Sequence, residues 1–416
     1  MRTNIKFLVL MICIVGILTS CGIQGESVVP IQDSNGKLHC SYFYQGNKIS
    51  LTSPEHFLET SWNPVGFEYI CQKVSCNHKS DACPAGYIFY NDLFQDGLDK
   101  GGESIFNFEF NGKRIIVDSF SPEIEMEADE EEIQFSSTMN YKTDIYEAKL
   151  DGSDRKLVMT FDGGIASSAM SYAAILQNGK LYFSGILSMS NEVRLNKETE
   201  MLEEQKVCVE HAFFEIDLMN YKVRTFGKER CLLERGYTYQ VYLYDDLIYM
   251  SRYNGNAGKA DWYVVNSGTG EVQEIASFDV EAPQIIGCIE DTVISYRDNI
   301  IVSYNHSNKK TKELFLDSDE EQIIAFVIDN EIWIVTDKSY EEGNEYVEYT
   351  VMDKEGTNLR TVHYPEYITF LDVVGDRVLY LKPFTEGIEE WWCELDKIDT
   401  LEDSIYIGDY SGMDME

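Results

Sequence analysis

One pattern recurs along this 416-residue chain and limits what it can fold into: an apolar run, two turn-forming residues, then β-branched or aromatic residues. Residues 172–185 are the plainest copy, with an apolar run up to Leu176, the pair Asn178-Gly179, and then Lys180-Leu181-Tyr182-Phe183. Asn-Gly between two such runs reads as a two-residue hairpin, because a type I′ turn needs positive φ at both central residues. Equivalent turns fall at Gly46-Asn47, Asn111-Gly112, Asp245-Asp246, Glu290-Asp291, Asp329-Asn330 and Gly375-Asp376. Marked by their second residues, the seven turns lie 65, 67, 67, 45, 39 and 46 positions apart.

A second feature follows each of the last six turns: an apolar run that closes on Asp or Asn and then turns. It occurs at Asp151, Asp217, Asn266, Asn305, Asp353 and Asp396. A short strand-like segment completes the unit, as at 271–276, 312–315 and 359–362. Units of four strands over ~40–50 residues, repeated along one chain, predict an all-β fold: a single β-propeller of four-stranded blades. Seven units exceed the strands that one sandwich holds. The expectation is seven blades, with six or eight as the neighbouring counts, and a last blade that takes its fourth strand from 404–408.

The three long intervals locate insertions. Those at 118–143, with the acidic run Glu123 to Glu132, and at 185–210 fall between second and third strands; the first unit carries its excess at 52–66 and 72–100. In an up-and-down blade that loop leaves on the same side as the blade-to-blade connections. Both insertions are therefore expected on one face, opposite the Asn178-Gly179 turn. The acidic run itself reads as a solvated loop.

The start of the chain addresses it elsewhere. Arg2 and Lys6 precede the apolar run 7–18, which is too short to span a bilayer comfortably and reads as a secretory signal. Leu18-Thr19-Ser20-Cys21 resembles the box of bacterial lipoproteins, which implies acylation of Cys21 as the first mature residue. Two acyl chains suffice for stable anchoring. The expected organisation is a lipoprotein signal peptide at 1–20, the lipidated Cys and a short tether at 21–36, and the propeller at 37–416, facing outward from the cell membrane. Without Arg2 and Lys6 the chain holds 32 basic residues against 72 acidic ones. That surface repels phosphate backbones, so nucleic acid is excluded as a partner class.

One dense group of metal-ligating side chains stands out, Cys71-x4-Cys76-x-His78-x4-Cys83, with Cys40 earlier in the same unit. Three thiols and an imidazole suit tetrahedral zinc. An oxidising compartment favours disulfides among Cys40, Cys71, Cys76 and Cys83, and packed thiols are the third alternative. In each case the role is to staple an irregular segment. Pairing of Cys208 with Cys231 is left open. Calcium is weighed because the chain is so acidic. Asp151-x-x-Asp154 and the run 317–321 offer oxygens, yet neither follows the alternating pattern with a central glycine.

Catalytic signatures do not appear. Residues 254–259 superficially match a phosphate loop, but Tyr253 and Ala260 stand where Gly and Ser or Thr are required. There is no His-Glu-x-x-His and no Gly-x-Ser-x-Gly. Carboxylates are too many for a glycosidase-type pair to be chosen from sequence.

Cys76-Asn77-His78, Cys83-Pro84-Ala85 and Asp151-Gly152-Ser153, together with the lipobox, resemble the β-propeller lipoproteins of Gram-positive gut bacteria of the Firmicutes type. Asp151-Gly152-Ser153 and the segment 331–337 are also distantly similar to lipoprotein-receptor-type propellers, without their Tyr-Trp-Thr-Asp signature. The resemblance implies an address and a fold. The functional expectation is a membrane-anchored binding module for an extracellular or envelope protein, peptide or glycan. The alternative is a polysaccharide hydrolase or lyase with carboxylates at the channel mouth.

Overall fold

The computed structural model describes residues 35–411, except 40–41, 46–47, 53–56, 62–67, 79–82, 87–103, 121–123, 130–133, 166–173, 197–200, 233–236, 245, 255–258, 279–283, 298–299, 306, 317–323, 342–343 and 385–386. Cys21 and Cys40 lie outside the described residues, as do the signal, most of the tether and the turn positions 46, 47 and 245.

All seven expected two-residue hairpins close. Gln45 pairs with Lys48, Phe110 with Lys113, Gln177 with Lys180, Tyr244 with Leu247, Ile289 with Thr292, Ile328 with Glu331 and Val374 with Arg377. Asn111-Gly112 and Asn178-Gly179 have the paired positive φ values of type I′, 50° and 70°, and 51° and 73°. Asp329-Asn330 does the same at 44° and 66°. The Asp and Asn residues after the third strands form side-chain turns. Asp151, Asp217, Asn266, Asn305 and Asp353 each accept a backbone N–H two or three residues on through Oδ1, at 2.8–3.0 Å.

These hairpins build antiparallel four-stranded meanders packed as a propeller. Five stand free, beginning with Ser104–Phe110, Tyr237–Tyr244, Gln284–Ile289, Ala325–Ile328 and Thr369–Val374. The count of seven separate blades is corrected here: the first and third units are not separate sheets. The strand Gly36–His39 pairs on one side with Tyr42–Gln45 and on the other with Ala174–Gln177, joining both units into one twelve-stranded sheet. All four residues of Ala174–Gln177 are buried. No local signal encodes the pairing, since an edge-to-edge contact across some 140 residues of chain leaves no mark on either strand. The last sheet does supply its own fourth strand, Ile405–Ser411 against Gly387–Glu394.

Apolar side chains seal the junctions. Phe43 of the first unit stacks on Phe108 of the next at 4.5 Å and lies parallel to Phe106 at 5.9 Å. Each of these rings is fully buried, worth roughly 1.5–3 kcal/mol apiece. Ring ends meet where Tyr44 and Ile49 pack with Leu379, Trp392 and Ile407. There the Tyr44 hydroxyl donates to the buried Glu390 at 2.9 Å, and Lys37 pairs with Asp372.

The insertions are strands, not loops. Ile124–Asp129 and Gln134–Asn140 form a hairpin, and the second of these pairs with 188–194 of the 17-residue strand Lys180–Asn196. That long strand pairs along its length with Met201–Asp217. Strand Leu247–Asn254 of the neighbouring sheet has 8 residues. The excess of nine residues carries the extension about 30 Å past the blade, at ~3.3 Å per residue. It leaves from the end of Lys180–Asn196 remote from Gly179, so both insertions share the face opposite the Asn-Gly turn.

Candidate metal centre and binding surface

Two places in the molecule exceed what a propeller scaffold needs. The first begins at the outer edge of the first unit. Strand Phe57–Ser61 pairs with the two-residue strand Glu68–Tyr69, after which regular pairing stops. Backbone bonds to Phe57 then hold the two ends of the next segment together: Phe57 N–H donates to Ala85 O at 2.8 Å, and Ile70 N–H to Phe57 O at 3.3 Å. Between them the chain makes tight turns, with Cys76 N–H on Lys73 O and left-handed backbone at Ser75 and His78.

This geometry brings Cys71, Cys76, His78 and Cys83 together. Their ligand atoms all lie within 4.8 Å of one another, the only such group of three or more His, Cys, Asp or Glu among the described residues. The imidazole presents Nδ1 to Cys83 Sγ at 3.4 Å, and the Tyr69 ring stacks on its face at 4.1 Å. A backbone N–H bond from His78 holds the Cys76 thiol below its ordinary range, while burial pushes Cys83 up. Cys71, Cys76 and Cys83 are free thiols. The structure thus unites four of the residues singled out in the sequence and joins none of them by a disulfide.

The cluster is seated on the second unit. Cys71 and Cys83 pack with Ile116 and Ala148 of that sheet. Its turn after the third strand approaches so closely that a Cβ on Gly152 would lie 2.2 Å from Pro84 O. Arg155 clamps the junction, donating through Nη2 to Pro84 O at 2.6 Å and to Gly86 O, and through Nε to Gly152 O. Burial pulls this guanidinium down to about 10, against the raising effect of Cys83. Arg114, itself buried, ties the same units together nearby by donating to Glu59, Ser50, Asn107 and Leu150 O. Arg155 and Gly152 were not legible as partners of the cysteine segment, because Arg155 contacts Pro84 across 71 positions.

The remaining thiols stay apart. Cys208 is free, and the register sets it opposite Leu232 while Cys231 faces Val209, so the two cysteines are not cross-strand partners. Cys288 and the buried Cys393 are free as well. Asp151 and Asp154 serve their own turn: Asp151 Oδ1 accepts from Ser153, and Asp154 pairs with Lys149.

The second place is the extension, a four-stranded array of Ile124–Asp129, Gln134–Asn140 and the far halves of the two long strands. It carries Glu125, Glu127 and Asp129 on its outermost strand and Glu192, Glu203 and Glu204 on the long hairpin. Arg194 and Lys206 are the basic residues in those strand segments.

Fold and sites together define a β-propeller with an outer-edge Cys3His cluster and an acidic sheet extension. No family model and no curated protein sequence matches the chain. It is similar to solved structures that include a post-proline cleaving enzyme from Rickettsia typhi, at 11% identity and a TM-score of 0.41, over 92% of this chain and 53% of that one. It is also similar to the AfRom2 CNH domain, at 8% identity and 0.34, over 86% and 94%. TolB from Acinetobacter baumannii matches at 10% and 0.28, over 66% and 76%. None of these likenesses brings an activity to this chain.

Proposed function

We propose that this protein is a lipid-anchored, extracytoplasmic β-propeller that binds an envelope or extracellular protein, peptide or glycan through its sheet extension. One observation carries the reading: the insertions of two different units pair with each other and project about 30 Å from a ring that closes without them. A feature built by two units, on the face where propeller loops gather, fits a recognition surface. Its carboxylates suit a cationic or neutral ligand and repel phosphate polymers. Anchoring rests on Cys21 and its lipobox, and among the described residues no helix is long and apolar enough to cross a membrane.

The experiment is capture from solubilised cell envelope, alongside a glycan array, with the full chain in detergent. A variant with Glu125, Glu127, Glu203 and Glu204 changed to Lys is expected to lose the captured species while keeping the melting curve. Equal capture by both chains refutes the assignment. Metabolic labelling with palmitate tests the anchor: label on the wild type and none on Cys21→Ala is expected, and label on both contradicts it.

A further inference from the structure

We infer that Cys71, Cys76, His78 and Cys83 bind one zinc ion in a closed tetrahedral site, and that this ion fastens the irregular edge of the first unit to the second. Size and donor chemistry both fit. Around a tetrahedral zinc with Zn–S of ~2.3 Å and Zn–N of ~2.0–2.1 Å, ligand atoms stand about 3.5–3.8 Å apart. The four ligand atoms here fall within 4.8 Å, and the His78–Cys83 contact is 3.4 Å. A disulfide needs ~2.05 Å between sulfurs and would use only two of three gathered thiols, leaving the imidazole unexplained. Packed thiols alone would not call for a His whose Nδ1 turns inward against two buried sulfurs.

Binding balances simply. The ion replaces the protons of three thiols, which leave to solvent, and the imidazole binds neutral through Nδ1. The resulting centre carries one negative charge. The Arg155 guanidinium lies beside it on the carbonyls of Pro84 and Gly86, so a positive charge is already positioned next to Cys83. The Tyr69 ring stacks on the imidazole face from outside the ligand set and restricts its rotation. With four protein ligands and no open position, the site is structural, and its effect is to replace the missing β-ladder after Tyr69.

The test uses the full chain extracted in detergent from membranes, without chelator and without reductant. Metal analysis is expected to find about one zinc per chain, falling at least tenfold in Cys76→Ser and in His78→Ala, whose folding is followed by circular dichroism. A readout on the wild type alone guards against misfolded variants. Cys71, Cys76 and Cys83 should resist alkylation by iodoacetamide, and a zinc chelator should release all three at least tenfold faster with no reductant present. Replacing zinc by cobalt should give the intense visible bands of a tetrahedral thiolate site. A mass deficit of two hydrogens locating a disulfide among these cysteines overturns the inference. So does a zinc content near zero with all three thiols reactive before chelation, or zinc content unchanged in Cys76→Ser.

Discussion

Replacing Gly152 with Ala probes whether the cysteine segment is docked where the geometry puts it. Two costs add. Gly152 has φ +80°, and a left-handed backbone at a residue with a Cβ costs roughly 1–2 kcal/mol. The new Cβ also meets Pro84 O at 2.2 Å, and because that atom is backbone, the turn and the segment must separate. Separation strains the Arg155 bonds to Pro84 and Gly86, at about 1 kcal/mol each. The expected total is about 3–4 kcal/mol, most of it local, which raises opening of the segment roughly 100- to 1000-fold at ~1.4 kcal/mol per decade. Gly112→Ala is the control: its φ is +70°, but no atom lies within 4 Å, so only the backbone cost applies. Amide hydrogen exchange reads the difference at Ile70, Ala85 and Gly86, with urea unfolding for the global effect. Faster exchange at those amides in Gly152→Ala alone is expected. Equal behaviour of the two variants would refute the docking.

Other perturbations test the ring and its electrostatics. Arg114→Met should cost about 1–3 kcal/mol by leaving the buried Asn107 and the Leu150 carbonyl without their donor and Glu59 with Lys48 alone, read by urea unfolding. Burial pushes the Glu59 carboxyl up, but Arg114 and Lys48 more than offset this and hold it below its ordinary value. Stability from that depressed group is complete above the ordinary carboxylate range and is lost as pH falls through the folded value. The acid-unfolding midpoint should therefore move to higher pH in Arg114→Met, and no movement would count against the network. Gly287→Ala places a Cβ 2.4 Å from that of Val327 on the next sheet and should cost about 1–3 kcal/mol. Val327→Ala in the same chain should recover part of that loss, as a double-mutant cycle would show. Gly179→Val should destabilise by at least 1–2 kcal/mol, roughly the left-handed backbone cost, in thermal melts, yet leave envelope capture intact in the folded fraction.

Much of the scaffold was legible because its signals are local. Asn178-Gly179 demands its turn wherever it sits, and Asp353 or Asn305 makes its own side-chain bond to the turn that follows. The composite sheet was not legible, since Lys37 pairing with Ile175 is decided by how units pack around the ring. Residues 124–129 misled for a different reason. Their carboxylates read as a solvated loop, while the alternation Ile124-Glu125-Met126-Glu127-Ala128 is the period of a strand. The cysteine spacing raised zinc and disulfide alike. That Nδ1 and the three sulfurs gather at one point, with Arg155 beside them, depends on contacts between units that spacing does not encode.

The claim that recognition belongs to the sheet extension is tested most directly by photo-crosslinking in living cells. A benzophenone amino acid is placed at Glu127 or Glu203 on the extension, and at Asn220 in a turn that meets the Gly179 turn on the opposite face. Adducts of defined mass from positions 127 and 203, and none from position 220, are the predicted result. Adducts confined to position 220 would place the working face on the side of the Asn-Gly turns and contradict the account.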